Sequence, residues 1–582
     1  MKKYIKDFWV DMLFSFLMTL IAAIIISLFF GYSFSTNDDA MLRNLASGNY
    51  TGSPESHLIY IMYPLGLLWK SLYSLIPSVP WYDIFMVGMH YVCWFMIILR
   101  IMQQYQHRIK KICASVLGMC ALFIIDLPYL VMHQYTVLAA LLAGVAILWL
   151  ATMEEYKGKR FVVDRIVCIV FLTFCLWLRN EVLFMALPIG MFVLLKEICN
   201  LKKEGNTNVD IVKKTGVFVG IFAVITVLSF TVENIAYNSD EWQDYKIYND
   251  ARTEIYDFYG IPSYDNYKDE YEALGISYAD WLAIDHYDSG LVDSLNAEKL
   301  EEIATWAKAD RKEAQQYYSV TRQGVYAVID TIFYNSVQPI GIVLCVLYVV
   351  ALLCMYVRKD KMHMLCLCGM LLYQFLFVGY FLLQGRFPER VSYGLYFMQA
   401  IYIVSILFRG KKAELNTWKP DKFCLGVGCV VCIFVLGTVG LYQIRMTLNE
   451  CNIIEQKADD WNYVNSYFNQ NAENRYCIVT KSFVFSTERM FSKARGESDN
   501  VVRLGTWVQN SPLEYERNAG IGINNLGEQL ITDSNIYIVQ DVENDFMWID
   551  SLLDERATGM QTRIVDTICT PGGRQFYVIA VQ

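Results

Sequence analysis

Apolar residues run in long uninterrupted blocks through the first three quarters of the chain, and alternate with polar ones only towards its end. The first block, 10–30, is long enough to cross a hydrocarbon core of ~30 Å at ~1.5 Å per helical residue. Lys2, Lys3 and Lys6 precede it and no small-residue cleavage site follows, so it reads as a retained signal anchor with a cytoplasmic N-terminus. Further blocks lie at 81–102, 112–131, 135–153, 166–178, 182–198, 216–236, 338–357, 363–384, 391–408 and 423–444. Together they predict an α-helical multi-pass membrane protein of about 11 transmembrane helices, with its C-terminus outside. Block 166–178 reaches only ~20 Å as a helix. Arg179-Asn180-Glu181 is therefore expected at membrane depth. Either it lies in a broken hairpin facing a polar cavity, or Arg179 and Glu181 neutralise each other near the outer interface.

Segment 58–75 is also apolar enough to be a helix. If it crossed, Arg100, Arg108, Lys110 and Lys111 would lie outside and every later loop would invert. Laid in the membrane interface, it leaves 24 Lys and Arg in the inner segments 1–9, 100–111, 154–165, 196–214, 358–361 and 409–422. The short outer segments 32–80, 127–134, 179–181 and 385–390 then hold five. The positive-inside rule favours the interfacial helix.

Two further regions fall outside the membrane. Segment 237–325 carries 19 acids against 8 Lys and Arg, a net of −11. It is rich in aromatics (Trp242, Tyr245, Tyr248, Tyr256, Tyr259, Trp281), unlike a disordered acidic tail. Helix is expected over 296–318, with Leu300, Ile303, Ala304 and Ala307 on one stripe. The chain divides into a transmembrane domain, 1–444, and a soluble α/β domain, 445–582. The latter has helical pattern at 451–468 and strands at 476–480, 501–504, 536–540, 563–568 and 575–581. It contains no GxGxxG, P-loop, GxSxG or HExxH pattern, and the chain has no internal repeat.

Composition agrees with the pattern. Hydrophobic residues make up 55% of the 582 and charged ones 18%, against about 25% charged in a soluble protein. A net charge of −9 argues against nucleic-acid binding. Thirteen of the 16 cysteines, Cys93 to Cys432, fall in or beside apolar blocks, where cysteine behaves as a small hydrophobe. Cys477 and Cys569 lie in a polar region, and their pairing is left open. No CxxC stands near histidines, so no zinc site is indicated.

Candidate chemistry gathers in the first outer loop. Asn37-Asp38-Asp39 follows the first membrane helix closely, then an amphipathic run at 40–45, Gly48-Asn49-Tyr50, Glu55, His57 and the interfacial helix 58–75. Adjacent carboxylates at a membrane surface can accept a proton from an attacking hydroxyl, bind a divalent cation, or cap a helix, as Asp39 would for 40–45. A second constellation, Gly385-Arg386-Phe387-Pro388-Glu389-Arg390, is a short outer turn. Its arginines suit a lipid-linked phosphate, or snorkel to headgroups with Glu389 as a partner. Gly385 would leave room for a ligand beside Arg386, and Arg390 is nearer the helix start, so Arg386 is expected to matter more than Arg390 for a phosphate. Asp126 is expected near the outer end of its helix, in a structural or a catalytic role.

The arrangement resembles the GT-C superfamily of polyprenyl-phosphate-sugar-dependent glycosyltransferases, which includes the protein O-mannosyltransferases and bacterial relatives of the aminoarabinose transferases. Those enzymes place an acidic pair directly after the first membrane helix, followed by an interfacial helix often opened by His-Pro. Asp38-Asp39 matches the pair, and His57-Leu58 stands where His-Pro is often found, without the proline. The resemblance covers 5–410 as architecture and 37–75 as motif. It implies a single inverting displacement with Asp38 as general base and Asp39 orienting it or helping to hold a divalent cation. His57, Arg179, Glu181, Arg386 and Arg390 would then contact substrate. The implied partners are a polyprenyl-phosphate-linked sugar and a carbohydrate or other cell-envelope acceptor at the outer face of the bilayer. A polysaccharide polymerase or ligase, a transporter or flippase, and a non-enzymatic assembly protein remain open alternatives.

Overall fold

The computed structural model describes the chain apart from residues 1, 106, 154–156, 317–321, 334–338, 385, 409–421, 484–486, 493–496, 545–546 and 558. Gly385 therefore lies outside the described residues, as do parts of the positive segments 154–165 and 409–422. Among the described residues, nine helices are long and apolar enough to cross a membrane. The protein is a multi-pass helical membrane protein with a C-terminal sheet module, the class its hydrophobic pattern predicts.

At the centre stands a helix too short for that set. Tyr135–Ala151 has 17 residues and every one is buried. It is apolar all round, as a helix enclosed by other helices must be. Trp81–Met102, Gly158–Leu178, Asn180–Lys203 and Glu389–Phe408 pack around it. Small residues bring the backbones close. A Cβ at Gly144 would meet the Phe397 ring at 2.7 Å, and one at Gly394 would meet Ala140 Cβ at 2.9 Å.

Two sequence expectations are corrected. Block 166–178 is not a short helix, because the helix begins at Gly158 and runs 21 residues to Leu178, about 31 Å. The charges that seemed to end it are absorbed inside the bundle, where Asp164 pairs with Arg100 (3.0 Å) and Arg165 pairs with Glu197. A single extended residue, Arg179, separates it from Asn180–Lys203. The helix expected over 58–75 starts at Tyr63 and runs 13 residues, with Pro64 in its first turn. Residues 58–62 are non-helical, and the amides of Ile59 and Met62 donate to the Tyr237 hydroxyl (3.0 Å) and the Trp177 carbonyl (2.8 Å).

The C-terminal sheet has the order β4-β3-β5-β7-β6, with β3 Arg475–Ile478, β4 Val501–Arg503, β5 Ile536–Asp541, β6 Thr562–Cys569 and β7 Gln575–Val581. The remaining pair, β1 Ser33–Phe34 and β2 Met132–His133, is a separate parallel two-stranded element beside the bundle. β3 runs parallel to both β4 and β5, while β7 is antiparallel to β5 and β6. Side chains of β3 alternate between two buried faces. Tyr476 and Ile478 share a buried cluster with Trp461, Val464 and Phe468, whereas Cys477 and, just past the strand, Val479 share another with Tyr248, Leu300 and Ile303. The first layer belongs to a 49-residue helix, Lys422–Gln470, in which the expected helix at 451–468 continues the one entering at 423–444. The second layer is the acidic segment, whose helix Ala297–Gln316 turns its expected stripe against the helix Asp240–Thr253, and both share one core with the sheet. Most of the segment's acids face water, while Asp288 and Arg252 are buried. Cys477 is buried, Cys569 is exposed, and both are free thiols.

Substituting Gly144→Val should overfill the contact between the central helix and Glu389–Phe408 and cost about 1–3 kcal/mol. Thermal unfolding in detergent measures this, and an unchanged midpoint would mean that the helices are not in close contact.

Candidate active site

Asp38 and Asp39 occupy the first turn of the helix Asn37–Ser47. Neighbouring helical residues point about 100° apart, so the two carboxyls cannot share one environment. Asp39 is fully buried. The Tyr135 amide, at the start of the central helix, donates to its Oδ1 (2.9 Å) and the Thr36 hydroxyl donates to its Oδ2 (3.0 Å). Burial outweighs these bonds and pushes its pKa up from 3.8 to about 8. Both Asp39 oxygens accept hydrogen bonds from the protein, and the side chain does not line the cavity that Asp38 faces. Among the described residues, no three His, Cys, Asp or Glu side chains are grouped to hold a metal ion.

Asp38 turns the other way, into a cavity of about 1000 Å³ between the helices and the C-terminal module. The Trp507 indole N–H donates to its Oδ1 at 2.9 Å. Arg179, Glu181, Arg386 and Arg390 line the same cavity, so it brings together five of the seven residues singled out in the sequence. The other two are Asp39 and His57. His57 stacks on Trp242 (ring centroids 4.9 Å), with Nδ1 2.8 Å from Glu55 Oε1 and Nε2 3.1 Å from the Ala236 carbonyl. It fastens the first loop to the acidic segment and does not line the cavity. Burial raises the Glu55 pKa, but hydrogen bonds from His57 and Ser56 outweigh it and hold the group down to about 2.

The Arg179 and Glu181 side chains pair (Nε to Oε2, 3.0 Å), and both line the cavity. Arg179 also donates to the Tyr135 hydroxyl (3.0 Å), and its guanidinium lies over the Tyr60 ring, 5.4 Å from the centroid. Arg386 forms an ion pair with Asp257 of the acidic segment. Arg390 has no carboxylate within ion-pair distance among the described residues. Asp126 lies outside the cavity, fully buried, and accepts from Tyr393 (2.5 Å), His90 (2.5 Å) and Trp94, a structural arrangement.

The rest of the lining was not singled out in the sequence. Arg252 and Tyr287 come from the acidic segment, and Thr480, Arg503, Gly505, Thr506 and Trp507 from the C-terminal module. Thr480 follows β3 and Gly505 follows β4. The cavity therefore takes residues beyond the carboxyl ends of β3 and its parallel neighbour β4. Five arginines stand against three carboxylates (Asp38, Glu181, Asp257) around the cavity, an electropositive chamber with one carboxylate held by an indole.

No protein-family model and no curated protein sequence matches the chain. Among solved structures, the chain is similar to the crystal structure of ArnT from Cupriavidus metallidurans bound to undecaprenyl phosphate. The identity is 11%, the TM-score is 0.38, and 97% of each chain is covered. At that TM-score the likeness is loose and assigns no role to any residue of this chain.

Because the folded state holds the Asp39 proton more tightly than the unfolded chain does, it binds more protons between pH 3.8 and about 8. Stability therefore falls as pH rises through that window. Asp39→Asn keeps the shape and one acceptor but cannot ionise. Its unfolding midpoint should fall less than that of the wild type between pH ~5 and ~8. Parallel curves would mean that Asp39 is ionised and in contact with water.

Proposed function

We propose that the protein is a GT-C-like membrane glycosyltransferase that moves a sugar from a polyprenyl-phosphate donor to a hydroxyl-bearing acceptor in cell-surface polysaccharide, teichoic acid or glycoprotein assembly. The observation that carries this reading is the meeting, in one cavity, of a first-loop carboxylate and arginines contributed by four separate parts of the chain. The distribution of Lys and Arg supports a cytoplasmic N-terminus and a cavity at the outer face.

In the proposed reaction the acceptor oxygen attacks the anomeric carbon as the bond from that carbon to the phosphate oxygen breaks. The acceptor proton passes to Asp38, whose Oδ2 is not the oxygen bonded to Trp507. The phosphate leaves on the polyprenol, and arginine donors stabilise the charge it gains. Arg390 is the better candidate for that contact, since Arg386 is already paired with Asp257. Arg179 is held at the chamber wall by Tyr135 and Glu181 and completes the cationic side. Asp39 positions Asp38 by fixing the helix that carries both. The walls from 237–325 and 445–582 would meet the acceptor.

Asp38→Asn should fold and bind donor like the wild type but lose transfer by about 10²–10⁴-fold, because the amide has the carboxylate's shape without its basicity. Asp39→Asn should transfer normally. Arg390→Ala should weaken donor binding by about tenfold to a hundredfold, the scale of a charge-assisted hydrogen bond, and by more than Arg386→Ala does. Radiolabelled-sugar transfer and donor titration in nanodiscs measure these effects. Wild-type transfer by folded Asp38→Asn would move the chemistry elsewhere.

A further inference from the structure

Tyr60 stands between two arginines. Arg179 lies over its ring, and Arg252 donates to its hydroxyl at 3.2 Å. Arg252 comes from the helix Asp240–Thr253 and is 5% exposed, yet it lines the cavity. Its other bonds go to Asn249 Oδ1 (3.0 Å), Thr253 Oγ1 (3.1 Å) and the Tyr287 hydroxyl. Every one of these partners is neutral. A guanidinium has five N–H groups, and the four bonds leave one on Nη1 unused. No carboxylate lies within ion-pair distance of Arg252 among the described residues, and the nearby Asp257 is committed to Arg386.

A cation withdrawn from water and given only neutral partners is unfavourable unless an anion joins it. The wall around it is firmly built. Tyr287 and Ile59, the latter next to Tyr60, both adopt positive φ (68° and 64°), a conformation that bulky residues keep only where their surroundings enforce it. Gly505 leaves no room for a Cβ against the Tyr287 carbonyl, and Asp288 accepts from the Thr480 amide at 2.7 Å. Trp507 links this wall to Asp38, because its ring packs on Tyr60 (centroids 4.8 Å) while its indole donates to the carboxylate.

We propose that Arg252, flanked by Tyr60 and Tyr287, is a second anion subsite, distinct from the contact for the donor's lipid-linked phosphate. It takes a carboxylate or phosphate carried by the acceptor. The acceptor is thus an acidic saccharide or a phosphate-bearing glycan, bound with a hydroxyl at Asp38 and its acidic group at Arg252. This inference rests on the transfer reading of the cavity. The same anion could also be the second phosphate of a polyprenyl diphosphate donor, and the test separates the two sources.

Purified full-length protein in nanodiscs is titrated with a polyprenyl monophosphate, the matching diphosphate, glucuronate, glycerol phosphate and, as the neutral control, glucose. The wild type is compared with Arg252→Gln, which keeps hydrogen bonding and removes charge, and Arg252→Lys, which keeps charge and loses the fork. Glucuronate and glycerol phosphate should bind more tightly than glucose, weaken at least tenfold in Arg252→Gln and less in Arg252→Lys, while monophosphate affinity stays unchanged. If instead only the diphosphate gains over the monophosphate, and loses that gain in Arg252→Gln, the subsite stands and the acceptor assignment is overturned. Equal anion affinities in the wild type and the folded Gln variant would overturn the subsite and make Arg252 a strut. If Arg252→Gln does not fold, unaltered affinities in Arg252→Lys would overturn it. Failure of the wild type to bind the monophosphate would contradict the transfer reading itself, whatever the Arg252 variants do.

Discussion

Asp39 is held out of water between the first turn of one helix and the first turn of another, and the aim of its neighbour Asp38 depends on that burial. The Tyr135 amide has no partner within its own helix, as is true of any helix start, and the Asp39 carboxyl supplies one. The first loop is thereby fixed to the central helix Tyr135–Ala151, around which the bundle packs. With Asp39 turned inward, helical geometry leaves Asp38 facing the cavity. Two identical residues, adjacent in sequence, thus have unlike roles: one locates the other.

The cavity itself arises because no single layer closes it. The bundle provides its floor through Arg179, Glu181 and Arg390, the acidic segment adds Arg252 and Tyr287, and the carboxyl ends of β3 and β4 add Thr480 and Trp507. The acidic segment and the sheet share one hydrophobic core. The 49-residue helix packs on the other face of the sheet and runs from there to the bundle. Within this chamber Asp38 is half-buried, where ionic and hydrogen-bonding contacts act more strongly than in bulk water.

Much of the fold was legible in the sequence because its signals are local. Apolar runs, Lys and Arg clusters and period-2 strands each depend on a few neighbouring residues, and all five strands of the C-terminal sheet fall where the alternation put them. The start of the helix at Gly158 was not legible. Lys159, Arg160, Asp164 and Arg165 read as loop until Arg100 and Glu197, far along the chain, are seen to pair with two of them. The candidate site was half legible for the same reason. Asp38 and the arginine turn stand out within a few residues. Arg252 is one of eight cations in a strongly acidic segment, and Trp507 sits in no motif, so only tertiary packing reveals either. The resemblance assigned Asp38 the role of base and Asp39 the orienting one, but the burial of Asp39 against the distant Tyr135 amide had no local signal.

In the proposed reaction a lipid-linked phosphate is received in this cavity beside Asp38. An electron cryomicroscopy structure of the protein in nanodiscs with a bound polyprenyl phosphate tests it most directly. The phosphate should lie about 3 Å from guanidinium nitrogens of Arg390 or Arg179, with the Asp38 carboxylate facing the same space and the prenyl chain leaving between the helices. Phosphate density at the opposite end of the bundle, near Arg165 and Glu197, with the Asp38 cavity empty, would contradict it.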